Sequence, residues 1–222
     1  MLKTSPVRKA SLGVAAAALL IGVPIYAWTN SLDEGNGGNV NGDTYTTAAQ
    51  KSSRAERRGV DRTSTSSTYF LTGNFVVKKG RYTSVLQVLN KIRYKDGKRE
   101  YGGQPVAQLA VRPVDGRYRF YIVQGAQNCS VTVAKDGSPI RIGVQYKHNS
   151  SPKFSINGTY CQKDTGRRPG YPSSTHNGRP IEYGGAYYAK LGAYNTSYSG
   201  TASTTAAETR WTSVTTSDPG LF

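Results

Sequence analysis

The feature that most constrains this chain is a succession of short segments with two-residue alternation, each closed by a turn signal. Residues 69–77 (YFLTGNFVV), 84–92 (SVLQVLNKI), 106–112, 118–124, 128–134, 140–146, 154–160, 187–194 and 209–215 all read as strands. Asp136-Gly137 and Asn157-Gly158 are tight-turn signals. No long segment has helical periodicity. The 25 glycines and 16 tyrosines, against 5 phenylalanines and 1 methionine, favour strands and turns over helices. Many short strands at this spacing predict an all-β fold, a β-sandwich or jelly roll. The 222 residues suit one domain with its own core. No internal repeat and no second domain boundary is visible.

Lys3, Arg8 and Lys9 precede an apolar run over residues 10–28, which Pro24 breaks near its end. Ile25-Tyr26-Ala27 resembles a small-residue cleavage site, so residues 1–27 read as a secretory signal peptide. The alternative is an uncleaved signal anchor, since the run is nearly long enough to span a bilayer. Residues 28–44, with EGNGGNVNGD at their heart, read as a flexible linker, and residues 45–222 as the folded domain. The expected location is secreted and extracellular, or periplasmic in a bacterium. Export suits Cys129 and Cys161, an even count that predicts one disulfide between two strand-like segments. No Cys-x-x-Cys spacing and no metal-ligand constellation is present. No cofactor is expected, and a structural calcium is left open.

The net charge of +16 points to a polyanionic partner. Nucleic acid, anionic membrane and acidic polysaccharide all qualify, and a merely basic, soluble surface is the plain alternative. Export favours an anionic polysaccharide over nucleic acid, with no membrane contact after signal removal and a monomeric chain. Four Asn-x-Ser/Thr sites, at Asn128, Asn149, Asn157 and Asn195, would accept glycans in a eukaryote.

Three segments carry the chemistry. On a strand, residues two apart share a face, so Arg54, Glu56 and Arg58 form an Arg–Glu–Arg row. Glu56 can hold the guanidinium groups, whose planar forks suit a carboxylate. Taken alone, the row is more simply a solvated charge run. Gln87 is a polar residue within an apolar strand; it either satisfies backbone groups or lines a site. Alternation puts Tyr188, Lys190, Gly192 and Tyr194 on one face, with Gly192 leaving space between Lys190 and Tyr194. A lysine beside a phenol favours the phenolate. The plain alternative is an aromatic strand with a snorkelling lysine.

Together these segments resemble polysaccharide lyase family 7, the alginate lyases, which carry an Arg-x-Glu-x-Arg strand, a Gln-Ile-His strand and a Tyr-Phe-Lys-x-Gly-x-Tyr-Asn-Gln strand in that order. Arg54, Glu56 and Arg58 match the first. Tyr188, Lys190, Gly192, Tyr194 and Asn195 match the last, with Ala189 and Thr196 as departures. Gln87 matches the middle motif, but Leu89 stands where the family has histidine. The resemblance runs from about residue 52 to the C-terminus. The glucuronan lyases of family 20 are similar in fold and reaction. The resemblance implies a jelly roll of two curved antiparallel sheets with the sugar chain in a concave groove. It also implies β-elimination: a base takes the C5 proton of a uronate and the 4-O-glycosidic bond breaks. Tyr194 would be acid, base or both. Arg54 and Gln87 would neutralise the uronate carboxylate, and Arg58, Glu56, Lys190, Tyr188 and Asn195 would support or bind substrate.

Histidine is the family's proposed base where proton and leaving group lie on opposite faces of the sugar, as in guluronate. Where they lie on the same face, as in mannuronate or glucuronate, one tyrosine can serve both. Leu89 therefore predicts a preference for poly-mannuronate or glucuronan. Of the two histidines, His148 ends a strand, while His176 sits in an Arg- and Gly-rich loop, residues 167–179, and could reach over the groove. A glycan on Asn195 would block the groove, so Asn195 is expected unmodified. The rival class is a non-catalytic jelly roll that binds acidic polysaccharide, which would not require Tyr194 beside Lys190.

Overall fold

A computed structural model describes residues 32–59, 68–79, 81–95, 98–124, 127–129, 131–147, 152–163, 175–176, 179–180, 187–198 and 201–216. Every regular element among them is a strand. The first half contributes β1 (Leu32–Gly35), β2 (Asn39–Asn41), β3 (Thr44–Thr46), β4 (Arg54–Arg58), β5 (Thr68–Lys79), β6 (Thr83–Lys95), β7 (Lys98–Val114), β8 (Arg117–Gln124), β9 (Gln127–Asn128) and β10 (Thr132–Ala134). The second half contributes β11 (Ile140–Lys147), β12 (Lys153–Ile156), β13 (Thr159–Tyr160), β14 (Gln162–Lys163), β15 (Thr175–His176), β16 (Arg179–Pro180), β17 (Tyr187–Asn195), β18 (Ser197–Tyr198), β19 (Thr201–Ala202) and β20 (Glu208–Thr216).

Two antiparallel sheets of seven strands form the sandwich. Their orders are β1-β4-β17-β6-β7-β8-β10 and β13-β12-β11-β5-β20-β3-β2. Alternation explains which faces meet. On β5, Leu71, Phe75 and Val77 are buried while Thr72, Asn74 and Val76 are only partly covered. On β11, Ile140, Ile142 and Val144 enter the same core. Trp211, Tyr45, Phe75, Phe120 and Phe154 are the largest fully buried side chains among the described residues, and Phe75 lies 5.2 Å from Trp211 between ring centroids. Burying a side chain of this size contributes about 1.5–3 kcal/mol. The fold is an all-β jelly-roll sandwich, within the two architectures that the strand pattern predicts and the one that the family resemblance implies.

Cys129 and Cys161 are both buried and joined as a disulfide, with 4.4 Å between their Cα atoms. Each lies beside one strand of the paired β9 and β14. Between β12 and β13, Asn157 and Gly158 have φ of 49° and 83°, the mirror-type turn that this dipeptide favours. Asn157 Oδ1 also accepts from the Arg141 amide at 2.7 Å, which fastens the turn to β11.

Four segments depart from the sequence expectation. The supposed linker, residues 28–44, contains β1 and β2 and the start of β3, because β1 pairs with β4 and β3 with β20. Asp136-Gly137 joins β10 of one sheet to β11 of the other, so it is an inter-sheet connection and not a hairpin. Residues 128–134 are not one strand: β9 and β10 stand apart, with Cys129 between them. In the stretch expected as an exposed loop, residues 196–205, Thr196 and Ser203 are buried and bond each other through the backbone. The signal-peptide residues 1–27, His148, and residues 167–174 of the Arg-rich loop lie outside the described residues.

Candidate active site

Sheet order brings the three motifs together. β17 lies between β4 and β6, so segments far apart in sequence become adjacent strands. Lys190 is opposite Arg58 on one side and Gln87 on the other. Gly192 is opposite Glu56, Tyr194 is opposite both Arg54 and Ser84, and Tyr188 is opposite Leu89. Ala55, Val88, Ala189, Leu191 and Ala193 pack into the core. The alternating residues Arg54, Glu56, Arg58, Gln87, Tyr188, Lys190 and Tyr194 belong to the face turned away from it.

A polar network crosses these strands. Gln108 on β7 donates from Nε2 to Gln87 Oε1, and Gln87 Nε2 donates to Glu56 Oε1 across β17. Lys190 Nζ lies 3.6 Å from Glu56 Oε2 and bonds Asp33 Oδ2. Asp33 Oδ1 accepts from Arg54 Nε at 2.5 Å. Arg58 stacks on the Tyr188 ring, 4.1 Å from guanidinium carbon to centroid.

Burial sets the charges. It pushes the Glu56 carboxyl up to about 7, against the pull of Lys190 and the Gln87 hydrogen bond. Glu56 Oε2 is buried with no hydrogen-bond partner among the described residues, which fits a carboxyl that holds a proton easily. Burial also opposes charge on Lys190, but the Glu56 and Asp33 carboxylates outweigh it and raise the lysine pKa. Asp33 likewise overcomes its burial: bonds from Lys190 and Arg54 hold its carboxyl below the usual range. Lys190 is thus a fixed cation flanked by two carboxyls.

A pH dependence follows for Glu56. Its ordinary value is 4.5 and its folded value about 7. Between them the folded chain carries the extra proton, so stability falls as pH rises through that window, by up to about 3 kcal/mol. Glu56→Gln should remove this slope. Denaturant unfolding of both proteins from about pH 4.5 to about pH 8 should show wild type losing ground to the variant. Parallel curves would contradict the shift.

The structure corrects three roles read from the sequence. Glu56 bonds Gln87 and faces Lys190, while the ion-pair partner of Arg54 is Asp33. Gln87 is buried, and its amide bonds the side chains of Glu56 and Gln108 instead of backbone groups. Asn195 is buried and its amide is spent within the protein. Its Nδ2 donates to Ala48 O and Gln50 O at 2.9 and 3.0 Å, and its Oδ1 accepts from Thr47. It anchors the turn before β4 and is closed to sugar or glycan. His176 lies on the β15–β16 hairpin opposite Arg179; its side chain is outside the described structure.

Asp33 and Gln108 were missed. Asp33 sits in a Gly/Asn-rich stretch with no pattern to mark it. Gln108 could have been found by the test that singled out Gln87, since it too interrupts an apolar strand. Among the described residues, no three His, Cys, Asp or Glu side chains converge to hold a metal.

No protein-family model matches the chain, and no curated protein sequence matches it. Solved structures do. The marine PL7 alginate lyase AlyA1 from Zobellia galactanivorans aligns over 85% of this chain and 83% of its own, with TM-score 0.50 and 14% identity. Alginate lyase PA1167 from Pseudomonas aeruginosa covers 83% and 87%, at TM-score 0.46 and 12% identity. The carbohydrate recognition domain of Emp47p covers 84% and 88%, at TM-score 0.46 and 13% identity. The first likeness defines the class of fold: a two-sheet jelly roll of the kind found in polysaccharide lyase family 7.

Proposed function

We propose that this chain is a secreted polysaccharide lyase that breaks a uronate-containing polysaccharide, mannuronate-rich alginate or glucuronan, by β-elimination. The observation that carries the proposal is that Arg54, Gln87, Lys190 and Tyr194 stand on three adjacent strands of one sheet, in cross-strand register. The C5 hydrogen of a uronate is weakly acidic, and its removal drives negative charge onto the neighbouring carboxylate. Among the described residues, Arg54 engages Asp33 through Nε alone, which leaves its two terminal nitrogens to meet that carboxylate as a fork. Gln87 retains an amide hydrogen beyond the one given to Glu56. Lys190 adds fixed positive charge.

Tyr194 is half-buried on the same face. As the phenolate it takes the C5 proton and becomes the phenol; the C5–H electron pair forms the C4–C5 double bond, and the C4–O bond breaks with its electrons on the leaving oxygen. The same phenol then returns a proton to the leaving oxygen. Leu89 across from Tyr188 offers no second base, which suits sugars whose proton and leaving group share a face. The disulfide and the signal-like N-terminus support export.

Purified chain mixed separately with poly-mannuronate, glucuronan and poly-guluronate tests this through the ultraviolet absorbance of the unsaturated uronate. Absorbance should rise faster with the first two. Faster release from poly-guluronate would overturn the substrate preference. A flat trace on all three, with binding retained, would identify a non-catalytic polysaccharide-binding protein instead.

A further inference from the structure

The other sheet carries a separate cavity of about 270 Å3 on its outward face. Alternation builds it: Ile140, Ile142 and Val144 enter the core, so Arg141, Gly143 and Gln145 point outward. Thr72 of β5 and Ser155 of β12 flank Gly143 in register, and Tyr160 of β13 is paired with Ser155. Glycine keeps the floor open, because a Cβ at 143 would come within 2.6 Å of Ser155 Oγ. Tyr160 is 51% exposed, a large aromatic left in solvent at the rim. Among the described residues, no Asp or Glu lines the cavity. Exposed Lys153, paired with Gln145, adds a second cation beside it.

We propose that this cavity is a second saccharide-binding site that takes one uronate residue of an acidic polysaccharide. It rests on the proposed function only for the identity of the polymer. The Tyr160 ring offers an apolar face that the C–H face of a sugar would cover. The Arg141 guanidinium, with no ion-pair partner among the described residues, presents a fork for the sugar carboxylate. The Thr72 and Ser155 hydroxyls and the Gln145 amide meet ring hydroxyls. Pockets for drug-sized ligands span roughly 300–1,000 Å3, so this volume suits a single ring and not a chain. The cavity lies on the opposite sheet from Tyr194. A polymer held here leaves the reaction centre open and tethers the protein to its substrate.

The test uses the Tyr194→Phe chain, a mannuronate trisaccharide and a neutral mannose trisaccharide, followed by amide nitrogen–proton NMR. The acidic sugar should shift amides around Gly143 as well as around Lys190. Arg141→Gln and Tyr160→Ala, both exposed positions, should each weaken the Gly143 response about tenfold or more and leave the Lys190 response intact. Without Tyr194→Phe, they should leave cleavage of short oligomers unchanged. No response at Gly143, an unchanged response in both variants, or equal binding of the neutral sugar would overturn the proposal. Loss of the Lys190 response alone would count against the catalytic site and leave this one standing.

Discussion

Tyr194→Phe should lower turnover on poly-mannuronate or glucuronan by roughly a thousandfold, while the polymer still binds. A positioned acid–base group typically contributes about 10²–10⁴-fold. Here one phenol is asked to perform both proton transfers, so the loss should lie at the middle of that range or above it. The substitution removes a single oxygen from a half-buried ring in register with Arg54 and Ser84, and the strand backbone that sets this register is untouched. KM should therefore change far less than kcat, which is the signature of an interaction made at the transition state. Retention of more than about a tenth of wild-type turnover would remove Tyr194 from the reaction. In that case Lys190 would not replace it as base, because its flanking carboxyls keep it protonated.

Gly192→Ala should be the most damaging single-methyl change near the site. Gly192 has φ of 144°, a conformation that side-chain-bearing residues rarely adopt. An added Cβ would lie 2.3 Å from the Ala55 carbonyl oxygen, 2.8 Å from Tyr45 Cδ1 and 2.9 Å from Glu56 Cα. Two of those contacts are backbone, so β4 would have to separate from β17 at the point where Glu56 is in register. We expect a loss of about 3 kcal/mol or more, and a melting midpoint lower by roughly 10 °C. Gly158→Ala is the comparison: its φ is 83°, but nothing lies within 4 Å of its Cβ. That variant should lose only about 1–2 kcal/mol from backbone strain. Equal midpoints for the two would mean that the close approach of β4 and β17 is not rigid. Activity of Gly192→Ala should fall with stability, since Glu56, Lys190 and Arg54 all depend on that approach.

The long strands were legible because alternation is a local property. Residues 69–77 and 84–92 alternate or run apolar for long enough that β5 and β6 follow with only their ends extended. β1 and β2 were not legible, because short, polar edge strands have no apolar face to announce them. Their pairing with β4 and β3 comes from backbone bonds, which leave no mark in the side chains. That is why Asp33, set opposite Glu56 on β1, falls in a stretch whose sequence reads as linker although it holds Arg54 and Lys190. The reading of Glu56 as the clamp for Arg54 failed for a related reason, since Asp33 takes that place. Same-face residues two apart on one strand need not bond each other when a partner on the next strand lies nearer. Asn195 failed because the motif marked it as polar, whereas the loop over residues 47–50 folds back and consumes its amide.

By itself, the sequence determined the strand-rich character, the pairing of Cys129 with Cys161, and the placing of Tyr188, Lys190 and Tyr194 on one face of one strand. These follow from period-two alternation, turn residues and an even cysteine count, all of which act within or between short segments. Only the tertiary structure decided that β17 lies between β4 and β6, that Gln87 is held between Glu56 and Gln108, and that Asp33 closes the network over Lys190. Neighbours in a sheet are chosen by the packing of two whole faces against each other. No single segment contains that information.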